Sequence, residues 1–298
     1  MDFYDYQNGA LLSPQDDRDW SVSMCMDMPS GSAEEPVYPK EYSVSWVPKI
    51  KDQLRINSCT SFATALIYEC IYRKLTGNVR NFSIGYTYGN RRETEYKEAG
   101  QIMRDCPKAL VKYGNVLSDI YECLEEVQPV IDSFEANYEK YCGYAKKLIS
   151  GYVRLRGEEE VKAFIYKYDV PVFANTRMKY INPLSKSDAL HAMAIIGYTK
   201  HKYIFQNSWG EFNCPHPQIE PDNILETWGL IPMTEKKFTD VTDDRWSAKA
   251  IQTAANDGII QGFPDNSFKP EEGMTREQAA ALWERMKRYF EENFEAKK

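Results

Sequence analysis

The strongest constraint on this chain is a distance along it. Cys59, in Asn57-Ser58-Cys59-Thr60-Ser61-Phe62-Ala63, opens a run of helical periodicity, and His191, in His191-Ala192-Met193-Ala194-Ile195-Ile196-Gly197-Tyr198, opens an apolar run 191 − 59 = 132 positions later. Lys51-Asp52-Gln53 stands just ahead of the first segment and Gln206-Asn207-Ser208-Trp209-Gly210 just after the second. These residues can cooperate only in a fold that brings the second half of the chain back onto the start of one helix.

Their chemistry gives a reason for such a fold. An ordinary cysteine, with a pKa of about 8.5, is only a few per cent thiolate at neutral pH. Free N–H groups and the dipole at a helix start favour the anion, and a neighbouring imidazolium favours it further. His191 is the candidate partner and general acid/base. Its ring needs an acceptor behind it to fix tautomer and orientation, a role open to Asn207 at 207 − 191 = 16 positions on. Trp209 is placed to cover that contact from water. The side-chain amide of Gln53 and the backbone N–H of Cys59 supply two oxyanion donors, and losing one such donor typically costs about 3 kcal/mol. Taken alone, Cys59 reads as a packing residue and Asn207 as a turn residue.

From Asn57 or Ser58, either of them a suitable N-cap, Phe62, Ala63, Leu66, Ile67, Cys70 and Ile71 predict a helix that ends at Gly77. Helices are also predicted over 98–113, with Gly114 as the stop, and over 127–148. Beyond Val153 the runs 170–175, 192–198, 203–206 and 225–231 read as strands. A helical half followed by a sheet-rich half is an α+β arrangement.

The 298 residues are 43% hydrophobic and 13% aromatic, enough for packed cores and for two domains. A net charge of −7 without a basic block argues against nucleic acid as a partner. No apolar run of about 18 residues predicts a membrane span, and the acidic, aromatic start does not resemble a secretory signal. The seven cysteines lack CxxC spacing and only three histidines occur, so no metal and no other cofactor is expected. The cysteines read mostly as reduced, buried thiols.

With these residues in hand, the chain resembles papain-like cysteine peptidases over roughly residues 15–232, and their bacterial branch in particular. The separation of 132 falls in that family's customary range of about 130–150. Gly100 to Asp105 fits a Gly-x-x-x-Arg-Asp element of the branch, and Asp16-Asp-Arg-Asp-Trp20 fits its N-terminal arm. The resemblance implies a two-lobe fold, a peptide or protein substrate, and the roles above for Cys59, His191, Asn207 and Gln53, with Gly100 and Trp209 at the cleft. Leu54, Ile56, Asn57 and Thr60 replace the Gly, Cys, Gly and Trp common in secreted members, and Ile56 removes the usual structural disulfide. Residues 1–45 are expected to be an irregular arm, part of which, for example Phe3 to Tyr6, covers the cleft; 46–232 is the peptidase domain.

After a boundary near residue 237 the composition turns to Ala-rich helices. Phe238-Thr-Asp-Val241, Gly262-Phe-Pro-Asp265, Phe268-Lys-Pro270 and Met274-Thr-Arg-Glu277 resemble one S-layer homology module over 238–298. A first helix is expected to begin near Asp243, with Trp246, Ala250, Ile251 and Ala254 on one face and Gly258 as its cap. Thr275 and Gln278 predict a capping box for a second helix. The resemblance implies binding of a secondary cell-wall polysaccharide, Arg276 holding an acidic sugar and Trp246 stacking on it. Since three such modules commonly form one unit, it also implies a homotrimer through the tail. Wall attachment without an export signal leaves cell surface, cytoplasm and phage origin open. Two rivals to a peptidase are an inactive papain-fold wall-binding protein and a cysteine amidase acting on peptidoglycan peptides.

Overall fold

The computed structural model describes residues 9–16, 19, 38–54, 56–91, 99–122, 140–185, 187–233, 238–256, 259–263 and 265–294. Phe3 to Tyr6, Trp20, Cys25, Cys123 and Gly258 lie outside the described residues. The chain divides into two compact units, 1–71 with 80–232, and 72–79 with 233–298.

Helix α1 spans Cys59–Thr76, and its residues up to Ile71 run through the core of the first unit. The predicted periodic residues are all buried, and so are its polar ones: Thr60, Ser61, Thr64 and Glu69 are each at most 1% exposed. A helix buried on all sides must satisfy such groups internally. Thr60 and Ser61 hydroxyls donate to Gln101 Oε1, Thr64 donates to Thr60 O, and Glu69 takes both Lys51 Nζ at 2.5 Å and Phe82 N–H at 2.9 Å. Gly77, at φ +74°, ends the helix with its N–H on Arg73 O.

Among the described residues, helices α2, Ile84–Gly89, and α3, Asp105–Tyr113, also belong to the helical half. The helix predicted from residue 98 starts only at Asp105. The residues before it form a strand because Gln101 and Met103 donate to Gly9 and Leu11 carbonyls. Within the stretch predicted as a helix over 127–148, residues 127–139 are not described, Cys142–Tyr144 is a 3-10 turn, and Asn115 pairs with Lys146 as an isolated bridge.

Among the described residues one sheet carries β1 Ala10–Leu11, β2 Tyr42–Ser43, β3 Gln101–Ile102, β4 Ile149–Arg154, β5 Val172–Arg177, β6 Leu190–Tyr198, β7 Tyr203–Gln206, β8 Gln218–Ile219 and β9 Ile224–Pro232. Its main path is β3-β1-β6-β5-β9-β4, with β2 and β7 also on β6, and β8 on β7. The irregular arm expected over 1–45 thus contributes two strands, since its short extended stretches find ladder partners. Helix α4, Gly157–Tyr168, covers the sheet: a Cβ on Gly229 would lie 2.5 Å from the Phe164 ring, so the close approach depends on glycine there. A short helix, α5 Met178–Ile181, follows β5.

The second unit carries α6, Ala248–Asn256, and α7, Arg276–Phe294. Phe238, Ile251 and Ala255 form its core, with Val241, Ile260 and Phe268 packed against them. Asp240 accepts the N–H groups of Phe268 and Lys269, both at 2.7 Å, closing the loop between the helices. The expected capping box is present: Thr275 N–H donates to Gln278 Oε1 at 2.8 Å and Gln278 N–H to Thr275 Oγ1 at 3.1 Å. The first helix differs from expectation. Thr242 to Ala248 is taken up by turns, so α6 starts late, and Trp246 is 92% exposed instead of packing with Ile251.

The buried Tyr68 hydroxyl donates to Lys146 O at 2.7 Å and accepts Leu148 N–H at 2.9 Å, tying α1 to the entry of β4. Tyr68→Phe strands the buried Leu148 N–H, while Lys146 O keeps the Asn115 N–H at 3.0 Å, and is expected to cost about 1–3 kcal/mol in urea unfolding. A loss below about 0.5 kcal/mol would mean that water replaces the hydroxyl.

Candidate active site

Cys59 is the first residue of α1, and both Cys59 and His191 are fully buried. The N-cap expected from Ser58 or Asn57 is not made by Ser58: its Oγ is buried with no partner among the described residues. The first-turn amides serve the thiol instead. Burial pushes the Cys59 thiol up, and backbone groups of Ala192, Gly9, Thr60 and Cys59 itself hydrogen-bond to it and pull it down. Burial prevails, so the thiol is protonated in this arrangement.

Strand pairing fixes His191. It lies opposite Thr176 on β5, and the β6–β7 hairpin, with Ala194 opposite Gln206, brings Asn207 to the same end of the sheet. His191 Nε2 and Asn207 Oδ1 are 2.8 Å apart. Asn207 is itself held: Ser208 N–H donates to its Oδ1 at 2.8 Å and its Nδ2 donates to Cys214 O at 3.2 Å. Since Oδ1 can only accept, Nε2 carries the proton and Nδ1 is left as the basic nitrogen. Nδ1 is buried with no hydrogen-bond partner among the described residues, so the thiol and the imidazole share no hydrogen bond. Trp209, fully buried, stacks on the imidazole with centroids 4.5 Å apart and rings 34° from parallel, as expected of a cover. Burial lowers His191 to about 4, with the Asn207 bond opposing.

Gln53 reaches the site through a short ladder between 51–53 and 208–210. Gln53 N–H donates to Ser208 O at 2.8 Å, Gly210 N–H to Lys51 O at 3.2 Å, and Asp52 bridges Trp209. Its amide is locked in place, accepting Ser208 Oγ–H at 2.6 Å and donating to Ile56 O at 3.0 Å. Leu54, where secreted members have Gly, adopts φ +52° and is 48% exposed. The loop therefore keeps the left-handed conformation that glycine favours, at a cost in strain of order 1 kcal/mol.

Gly100, at φ +87°, packs against the arm: a Cβ there would lie 2.4 Å from Gly9 O. Sequence reasoning missed Gly9, which sits at the thiol, and Glu226, whose Oε2 accepts Ser13 N–H at 3.0 Å. Nothing in a two-residue strand such as β1 announces itself by periodicity. Cys59, Cys106 and Cys214 are free thiols. Trp246 and Arg276, in the second unit, are both exposed.

Comparison with solved structures decides the architecture. Xylellain, a cysteine protease from Xylella fastidiosa, superposes with TM-score 0.59 at 18% identity over 77% of this chain and 97% of that one. Digestive procathepsin L 3 of Tenebrio molitor larval midgut gives 0.53 at 17% over 68% and 73%, and procathepsin B S9 from Trypanosoma congolense 0.53 at 15% over 76% and 86%. The first unit has the papain-like fold. Residues 237–280 match the S-layer homology domain. Over 56 residues the chain is 43% identical to the outer membrane protein SlpA of Thermus thermophilus, which is 19% of this chain and 6% of that protein. Over 45 residues it is 38% identical to cell surface glycoprotein 1 of Acetivibrio thermocellus, 15% of this chain and 2% of that protein. The matches thus span only a small part of those surface proteins. The architecture is a papain-like α+β unit followed by a small helical S-layer homology module.

The depressed His191 has a consequence for stability. Between pH 6.5 and about 4 the unfolded chain binds a proton at this residue that the folded chain does not. Stability therefore falls as pH drops through that window, by up to about 3 kcal/mol. Urea unfolding of the wild type at pH 7 and pH 4.5 should show a larger loss than His191→Gln; equal losses would place the imidazole in water.

Proposed function

We propose that the first unit is a thiol endopeptidase, with Cys59 as nucleophile, His191 as acid/base, Asn207 as its orienting acceptor and Gln53 in the oxyanion hole. The observation that carries this reading is the His191–Asn207 pair under Trp209, beside a cysteine in the first turn of a helix. In the reaction the Cys59 thiolate attacks the scissile carbonyl, and Gln53 and the Cys59 N–H receive the developing oxyanion. His191 passes the thiol proton to the leaving amine, and water then releases the acyl group from sulfur. Gly100 and Trp209 border the cleft in this reading. The name of Xylellain as a cysteine protease agrees with it.

The assay is hydrolysis of denatured casein under reducing conditions, run on the intact chain and on one lacking residues 1–13, since Gly9 contacts the thiol. Cys59→Ala is expected to abolish turnover, and Asn207→Ala to lower kcat/KM by about 100-fold or more. Absence of casein cleavage in both chains would leave the fold as a binding scaffold. Release of amino groups from purified wall without casein cleavage would instead favour the amidase reading.

For the second unit, we propose attachment to an acidic secondary cell-wall polysaccharide through Arg276 and Trp246, which the exposure of both residues supports. Retention of the protein on purified walls should fall about tenfold in Arg276→Ala, the loss of one charge-assisted contact. Unchanged retention would remove Arg276 from the binding surface. Exposed Trp283 and Met274 on the same module agree with self-association into a trimer. Light scattering of the full chain tests it, a monomer at high concentration rejecting the idea.

A further inference from the structure

We propose that the cavity between the corner from β4 into α4 and the turn before β9 binds a small zwitterion, an apolar amino acid or a dipeptide with free ends. The inference is independent of the thiol-peptidase reading. The cavity measures about 390 Å3, within the range of roughly 300–1,000 Å3 usual for small-molecule sites. Its wall is fixed by two hydrogen bonds: Leu155 N–H donates to Thr227 O at 3.1 Å, and Thr227 Oγ1 donates to Leu155 O at 2.8 Å. The site is therefore formed before any ligand arrives.

The charges of the lining select the ligand. Arg154, Arg156, Glu158, Asp222 and Glu226 all border the cavity. Three of them are already engaged: Arg154 Nη1 lies 2.6 Å from Glu226 Oε1, and Lys162 Nζ lies 2.5 Å from Glu158 Oε1. The side chains of Arg156 and Asp222 are exposed and make no hydrogen bond or ion pair among the described residues. One available cation and one available anion in a single cavity call for a ligand that carries both a carboxylate and an ammonium. Two guanidiniums against three carboxylates disfavour phosphate or sulfate, and Glu158, Glu159 and Glu160 in the first turn of α4 already offset the positive end of its dipole.

Tyr203 supplies a second, independent observation. It borders the cavity and is 1% exposed, and its hydroxyl has no hydrogen-bond partner among the described residues. Burial first, then the Glu158 carboxylate and more weakly that of Asp222, hold the proton on this hydroxyl, so it is a neutral group beside two anions. A buried hydroxyl without a partner costs about 1–3 kcal/mol, and an ammonium placed against Asp222 would donate to it. Leu155, Val161, Ile224 and Leu225 give the cavity its apolar part, matched to an aliphatic side chain.

The test is isothermal titration calorimetry of the full chain at pH 7 with leucine, leucyl-leucine, N-acetyl-leucine and leucine amide. It is repeated in Cys59→Ala, which by the peptidase reading cannot hydrolyse the dipeptide, with thermal unfolding as the check on folding. Leucine or leucyl-leucine is expected to bind with Kd below about 1 mM, and both blocked analogues at least about tenfold more weakly than leucine, the loss of one charge-assisted contact. The tighter of the first two assigns the ligand as amino acid or dipeptide. Arg156→Gln should erase the preference for leucine over leucine amide, and Asp222→Asn the preference over N-acetyl-leucine. Unchanged binding in Cys59→Ala separates this cavity from the peptide cleft, whatever the casein assay gives. No heat from leucine or leucyl-leucine up to about 10 mM overturns the site. So do blocked analogues that bind as well as leucine, or affinities that neither Arg156→Gln nor Asp222→Asn moves.

Discussion

Strand β6 is the element on which the site depends, because it has partners at both of its ends. Its first residues pair with β5 and β1, placing His191 opposite Thr176 and Leu190 against Ala10. Its last residues pair with β2 and β7, and the register of the β7 pairing delivers Asn207 to His191. A slip of one residue would turn His191 to the other face of the sheet and break the contact with Asn207. Apolar burial of Ala192, Met193, Ala194 and Ile195, none more than 1% exposed, makes such a slip costly. The geometry of a polar site is thus enforced by a hydrophobic strand.

Much of this was legible in the sequence, and for an identifiable reason. Helix α1 and strands β5, β6, β7 and β9 each present several apolar residues at one period, and their burial supplies the driving force that periodicity detects. Cys59, His191, Asn207 and Trp209 could be read because each stands at the edge of such an element. The capping box of Thr275 and Gln278 was readable because its bonds join residues three apart. The same local logic fails for the late start of α6, where successive turns from Thr242 replace the helix expected from Asp243.

What escaped the sequence depends on partners far along the chain. Ala10 and Leu11 carry no pattern of their own and become a strand because Gln101 and Leu190 offer backbone groups on either side. Residues 101–103 leave the helical pattern for the same reason. Ser58 shows the opposite effect. Its identity favours a cap, yet its hydroxyl has no partner among the described residues, and first-turn backbone groups serve the thiol. Leu54 reads as a departure from the glycine of related enzymes, but the backbone keeps the glycine conformation, held by the ladder from Lys51 to Gly210 and by Leu54 N–H on Asp52 Oδ1 at 2.8 Å. Local preference yields where several long-range bonds act together.

The buried site separates two properties that are often joined, the placement of its side chains and their reactivity. The His191–Asn207 contact, the Trp209 stack and the position of Cys59 are set by packing and need no charge. The ionic state of the thiol and imidazole is set by solvent, since desolvation is the first cause acting on each. Solvent access can therefore change reactivity without altering the placement of these side chains. The β1 ladder is short, and β6 is held independently by its longer pairing with β5. The anchors of Ser13, Asp16 and Asp19 on Glu226 and Arg104 lie beyond the ladder, so they fix the course of the arm without touching the thiol or the imidazole.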